Sequence, residues 1–231
     1  MLRIETIPSP NFSSRRKTPV IMLVYHYTAS NNVNGTVSWF KSPASKVSSH
    51  YVIGKNTLIG FSQTRVIQMV DHMDKAWHAG RSKWMIDEDY YQELNSHTGW
   101  TLPKNGYGRK IVGVNACSIG LEYVGTGKTF TGIQMETGAR LTASLMKRYA
   151  LRRENCVGHE HVSPGRKVDP GPNFDWEMHW KLVDRYTNKE KKPVVVEPAQ
   201  WLTDRIRKAE PTKMAKGNDQ WWHRLLKVFG A

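Results

Sequence analysis

A chain of 231 residues with 39% hydrophobic residues is long enough for one well-packed domain and an extension. Lys and Arg number 34 against 20 Asp and Glu, a formal net charge of +14. That excess points to a polyanionic partner (nucleic acid, an anionic membrane or an acidic cell-wall polymer) without choosing among them. No apolar run reaches the roughly 18 residues of a membrane span. The first residues lack the basic start and apolar stretch of a signal peptide, so the expected location is the cytoplasm as synthesised. Cys117 and Cys156 are too few for a disulfide framework and read as neutral, buried thiols.

In chain order, Pro8, Pro10 and Pro19 oppose helix in an extended lead-in. Residues 20–24, Val-Ile-Met-Leu-Val, have the pattern of a buried strand with His26 following its end. Residues 35–47 predict a short helix, 48–53 a strand, 54–57 a turn and 66–70 a second strand. Residues 81–110 are polar and aromatic without clean periodicity, and read as a long surface loop or insertion. A strand is expected at 120–124, and a helix from Gly132 to Arg152, where Leu141, Leu145, Met146 and Tyr149 keep helical spacing. A Pro/Gly-rich loop leads to a last helix at 174–186. Composition then shifts: Lys189-Glu190-Lys191-Lys192-Pro193 reads as a linker, followed by amphipathic stretches at 198–210 and 219–229.

The most informative run is Gly158-His159 through Arg166-Lys167-Val168-Asp169-Pro170-Gly171-Pro172. It holds an imidazole and a carboxylate ten positions apart on a backbone stiffened by three prolines, with a lysine between them. Two neutral imidazoles and one carboxylate suit zinc and leave a fourth position open. His26, His159 and Asp169 supply that set. Glu122, at the end of a buried-looking strand, is a candidate proton acceptor, and Lys167 a candidate donor to a developing oxyanion. Taken locally, Asp169 could equally cap the turn that follows it, and Glu122 and Lys167 could be solvated charges.

Five blocks then carry a resemblance: Val24-Tyr25-His26-Tyr27-Thr28; residues 47–53 around His50-Tyr51; Ala76-Trp77-His78-Ala79-Gly80; Asn115 with Ser118-Ile119-Gly120-Leu121-Glu122; and the His159–Asp169 run. Together they resemble the zinc-dependent N-acetylmuramoyl-L-alanine amidases of the amidase-2 family, whose fold is shared with peptidoglycan recognition proteins and phage lysozyme-type amidases. The likeness spans roughly residues 8–186. It implies an α/β fold, a central mixed β-sheet flanked by helices. It implies one zinc ion on His26, His159 and Asp169, with Glu122 acting on the attacking water and Lys167 on the tetrahedral oxyanion. His78 would line the substrate cleft, with His50 and Tyr51 near it. The substrate would be peptidoglycan, cut between N-acetylmuramic acid and L-alanine.

On this reading residues 1–186 form the catalytic domain of a monomer, and 187–231 a basic, amphipathic helical extension. A short basic helix with Trp and Phe on one side suits an anionic membrane interface, here through 199–231. The extension favours a phage endolysin that reaches the wall after membrane disruption. The alternative is a cytoplasmic amidase recycling anhydro-muropeptides. A peptidoglycan-binding module without activity fits poorly with a complete ligand set, and no nucleic-acid motif accompanies the charge.

Overall fold

The computed structural model describes residues 2–15, 18–98, 101, 104–105 and 108–189. The amphipathic extension and its membrane contact, expected at 187–231, fall almost wholly outside the described residues. The strands are β1 (Glu5–Thr6), β2 (Phe12–Ser14), β3 (Met22–Tyr27), β4 (Tyr51–Thr57), β5 (Thr64–Gln68), β6 (Asp74–Ala76), β7 (Lys83–Ile86), β8 (Lys104–Asn105), β9 (Gly108–Val112), β10 (Ser118–Tyr123) and β11 (Cys156–Gly158). The α-helices are α1 (Val33–Lys41), α2 (Glu88–Thr98), α3 (Gly132–Tyr149), α4 (His159–Val162) and α5 (Trp176–Lys189).

Six strands form the central sheet in the order β1-β5-β4-β10-β3-β11. Pairing is parallel except between β4 and β5, so the sheet is mixed, as expected. Side chains alternate across a strand, and here the two faces have different partners. Leu23 and Tyr25 of β3, Ile119, Leu121 and Tyr123 of β10, and Tyr51 and Ile53 of β4 pack against α3 and α5. The opposite face carries Met22 and Val24 beneath Ile86, Tyr90, Tyr91 and Ile111, and Val52 beneath Val37 and Phe40 of α1.

Several boundaries move for identifiable reasons. Asn32 Oδ1 accepts from Gly35 N (3.0 Å) and starts α1 early. Ser42, extended ahead of Pro43, ends it at Lys41 rather than 47. The turn expected at 54–57 is instead strand: Gly54 lies where a Cβ would come 3.2 Å from Arg65 O, a close backbone approach rather than a turn. The reversal falls beyond Thr57, where Gly60 has φ +78°. The segment read as a long loop contains β7, α2, β8 and β9, and β7-β9-β8 form a three-stranded antiparallel sheet. Its polar composition hid three buried residues, Ile86, Tyr90 and Tyr91, which with Ile111 just beyond it cover the sheet beside the future site. Both cysteines are buried free thiols. Among the described residues no helix is long and apolar enough to cross a membrane.

The seat of α3 on the sheet is tight at Gly138, where an added Cβ would lie 1.9 Å from Tyr123 Oη. Ala is the better helix former by about 1 kcal/mol, but the overlap with a fully buried ring is larger. Gly138→Ala is therefore expected to lower stability by a net ~2 kcal/mol, read as a lower urea midpoint at unchanged m-value.

Candidate metal centre and active-site cleft

Three neighbouring parallel strands deliver the chemistry. In the β10–β3 register Glu122 stands opposite His26, and in the β3–β11 register Gly158 stands opposite Tyr25, so His159 emerges beside His26. All three residues sit at the carboxyl ends of their strands, where open α/β sheets place their ligand sites. Asp169 returns to the same point, its backbone carbonyl accepting from Glu160 N at 3.0 Å. His26 lies within strand β3 rather than after it.

His26 Nδ1, His159 Nδ1 and Asp169 Oδ2 converge. The two nitrogens are 3.0 Å apart, and the oxygen is 2.8 Å from His26 Nδ1 and 3.0 Å from His159 Nδ1. Both imidazoles are 2% exposed. Burial drives the His26 pKa down to about 4, against the opposing pull of the Asp169 carboxylate, so its ring is neutral at pH 7. Burial pushes the Asp169 carboxyl upward, but the His159 and His26 rings beside it outweigh this and hold the group well below the usual carboxylate range. His159 Nε2 donates to Ala79 O at 3.0 Å, which turns its Nδ1 toward the carboxylate. A carboxylate and two imidazole nitrogens crowded in a buried spot fit a divalent cation, and the two-His, one-Asp set is suited to zinc.

A cleft of about 640 Å³ opens onto this cluster. Glu122, Lys167 and His78 line it along with the three candidate ligands, and the exposed apolar side chains of Trp39 and Val168 flank them. Glu122 is 8% exposed and its Oε2 has no hydrogen-bond partner. Burial, aided by the Asp169 charge and opposed by Lys167, pushes its pKa up to about 8. Lys167 is exposed on the ligand loop, its backbone N–H donating to Ser163 O at 3.1 Å.

The cleft lining includes His78 but neither His50 nor Tyr51, and the cause is simple. Adjacent residues at a strand start point to opposite faces. Tyr51 turns into the α3 core and its hydroxyl meets His72 Nε2 at 2.7 Å. His50 takes the site face but is fully buried one ring behind His78, centroids 5.8 Å apart. Its Nδ1 accepts from Gly120 N (3.0 Å), and its Nε2 lies 3.0 Å from a buried Arg15 guanidinium nitrogen. His78 lines the cleft, and its ring nitrogens contact His26 Nε2 at 2.9 Å and Ser118 Oγ at 3.0 Å.

Sequence reasoning missed the polar contacts behind the cluster. Arg166 Nη2 donates to Ala79 O (2.6 Å), Arg81 O (2.8 Å) and Ser163 Oγ (2.7 Å), tying the ligand loop to the segment after His78. Asn115 Oδ1 accepts from His78 N (3.2 Å) and Ala79 N (2.7 Å). Backbone carbonyls as partners leave no trace in side-chain pattern, so only the presence of Asn115 and Ser118 within one block hinted at them.

The profile of the N-acetylmuramoyl-L-alanine amidase family (Amidase_2) matches residues 16–172, which contain every residue of the cluster. The chain belongs to that family. It is a peptidoglycan amidase, of the class that cuts between N-acetylmuramic acid and L-alanine. It is 27% identical over 197 residues to the 1,6-anhydro-N-acetylmuramyl-L-alanine amidase AmpD of Enterobacter cloacae, covering 80% of this chain and 92% of that protein. Among solved structures, the amidase resembles AmiD from E. coli in complex with the substrate anhydro-N-acetylmuramic acid-L-Ala-D-gamma-Glu-L-Lys. The TM-score is 0.56 at 27% identity, covering 74% of this chain and 58% of that one. It also resembles AmpDh3 from Pseudomonas aeruginosa, with a TM-score of 0.54 at 26% identity, covering 99% and 88%.

Proposed function

We propose that this amidase hydrolyses soluble 1,6-anhydro-muropeptides at the muramyl–L-alanine amide, using one zinc ion held by His26, His159 and Asp169. The convergence of those three donors with Glu122 at the head of one cleft carries the reading. Zinc held there would supply Lewis acidity to the scissile carbonyl and to the attacking water. Glu122, unpartnered at Oε2, takes the proton from that water as its oxygen adds to the carbonyl carbon. The same carboxyl then passes the proton to the departing L-alanine nitrogen, so the products are a muramyl carboxylate and a free peptide amine. Lys167 brings its ammonium to the negative carbonyl oxygen of the intermediate.

The sequence by itself favours a phage lytic enzyme acting on intact wall, on the strength of the basic extension. The relatives turn the balance toward the soluble substrate: one is named for 1,6-anhydro muramyl amides, and another was solved with such a compound. A cleft of about 640 Å³ is also of the size that encloses a small ligand. The expected outcome is release of the stem peptide from anhydro-muropeptide at least about tenfold faster than from sacculi at equal muramyl concentration, a difference of ~1.4 kcal/mol in barrier. Mass spectrometry of the products measures both rates and identifies the bond. Faster attack on sacculi would return the lytic reading.

A further inference from the structure

We infer that His78 and Ser118 are positioning residues that lock His26 in one tautomer, with Nε2 protonated and Nδ1 left as a lone pair for the metal. This rests on the zinc-site reading above, and assigns a task to side chains that reading leaves idle. The assignment runs inward from a fixed end. Ser118 Oγ lies 2.7 Å from Val114 O, and a backbone carbonyl can only accept. The single hydroxyl proton is therefore committed to Val114. At 3.0 Å from the same oxygen, His78 Nε2 must be the donor, so a neutral His78 has its lone pair on Nδ1. That lone pair lies 2.9 Å from His26 Nε2, which must then carry the proton. His26 Nδ1 is left unprotonated, 3.0 Å from His159 Nδ1 and 2.8 Å from Asp169 Oδ2, where a cation would take the place of a proton between them.

The fold makes room for this chain of contacts. Ser118, Gly120 and Glu122 share one face of β10 at a spacing of two. A Cβ on Gly120 would fall 2.7 Å from His78 Cγ and 2.9 Å from its Nδ1, so the glycine is the gap that seats the ring. Asn115 holds the backbone of the same segment through His78 N and Ala79 N. The next carbonyl, Ala79 O, accepts from His159 Nε2. One short stretch therefore sets both imidazoles: His26 through a side chain, His159 through a carbonyl. Such outer partners fix ring orientation and raise ligand basicity.

The test is zinc affinity of the full chain at neutral pH, by competition with a chromophoric chelator, alongside metal-free melting to confirm folding. His78→Phe is expected to loosen zinc by about 10–100-fold. His78→Asn, whose amide oxygen can accept from His26 Nε2–H, should return to within about threefold of the parent. Ser118→Ala, which frees the His78 tautomer, should cost about tenfold. A folded His78→Phe that binds zinc as the parent does would overturn the inference, as would His78→Asn binding no better than Phe. If His78→Phe does not fold, unchanged affinity in Ser118→Ala overturns it. A parent protein that takes up no zinc sinks the metal-site reading itself, and this inference with it.

Discussion

Asp169→Ala is expected to abolish zinc uptake and hydrolysis together, with kcat/KM falling by roughly a thousandfold or more, about 4 kcal/mol of transition-state stabilisation. Asp169 supplies the only carboxylate of the three converging donors and is held ionised by both histidines. Its loss leaves two buried imidazoles with no carboxylate to offset the charge of a divalent ion. Removing metal from the parent should reproduce the loss, and added zinc should restore activity in the parent only. Thermal melting gives a readout independent of turnover. An ion bound only by the folded chain stabilises it by RT ln(1 + [L]/Kd), about 4 kcal/mol at a thousandfold excess over Kd. Zinc should therefore raise the parent's melting temperature and leave that of Asp169→Ala unmoved. Retained hydrolysis in Asp169→Ala after exhaustive chelation would refute the ligand assignment.

What could be read from the chain follows the range of the interactions involved. His159 and Asp169 were legible because a single stiff loop carries both, and His26 and Glu122 because each closes an apolar β-type run. The mixed sheet was legible through its resemblance to a family, since the strand runs alone do not fix an order in which β10 lies between β4 and β3. The opposite facing of His50 and Tyr51 follows from strand alternation, which a motif read as one block conceals. The elements at 83–112 escaped because Tyr90, Tyr91, Ile86 and Ile111 are too sparse among polar residues to show a period, yet all four reach the core. Three of the four contacts behind His26 and His159 depend on register between segments some 40–80 residues apart, and half of the four end on backbone carbonyls.

Glu122→Gln should separate the proton-handling step from metal binding. The amide keeps the shape of the carboxyl but cannot take a proton, so kcat is expected to fall by about 10²–10⁴-fold. Zinc affinity and KM should change little, because Glu122 is not one of the three converging donors. Stability should move the other way. In the metal-free protein burial raises the Glu122 pKa to about 8, well above the value it would have in an unfolded chain. Below the ordinary carboxylate range both states hold the proton and the group costs nothing. As pH rises toward 8 the unfolded chain releases its proton while the folded site retains it, and folding is progressively penalised. At pH 7 that penalty is on the order of a few kcal/mol, and Gln escapes it. The metal-free Gln variant should therefore be more resistant to urea than the parent at pH 7, and equal to it near pH 4. Zinc in the parent, placing a cation beside the group, should lower its pKa and so shrink the penalty. Greater stability with lost turnover is the pattern of a residue kept for chemistry rather than for folding. A Gln variant with near-parental kcat would remove Glu122 from the reaction and leave its buried, unpartnered oxygen without a role.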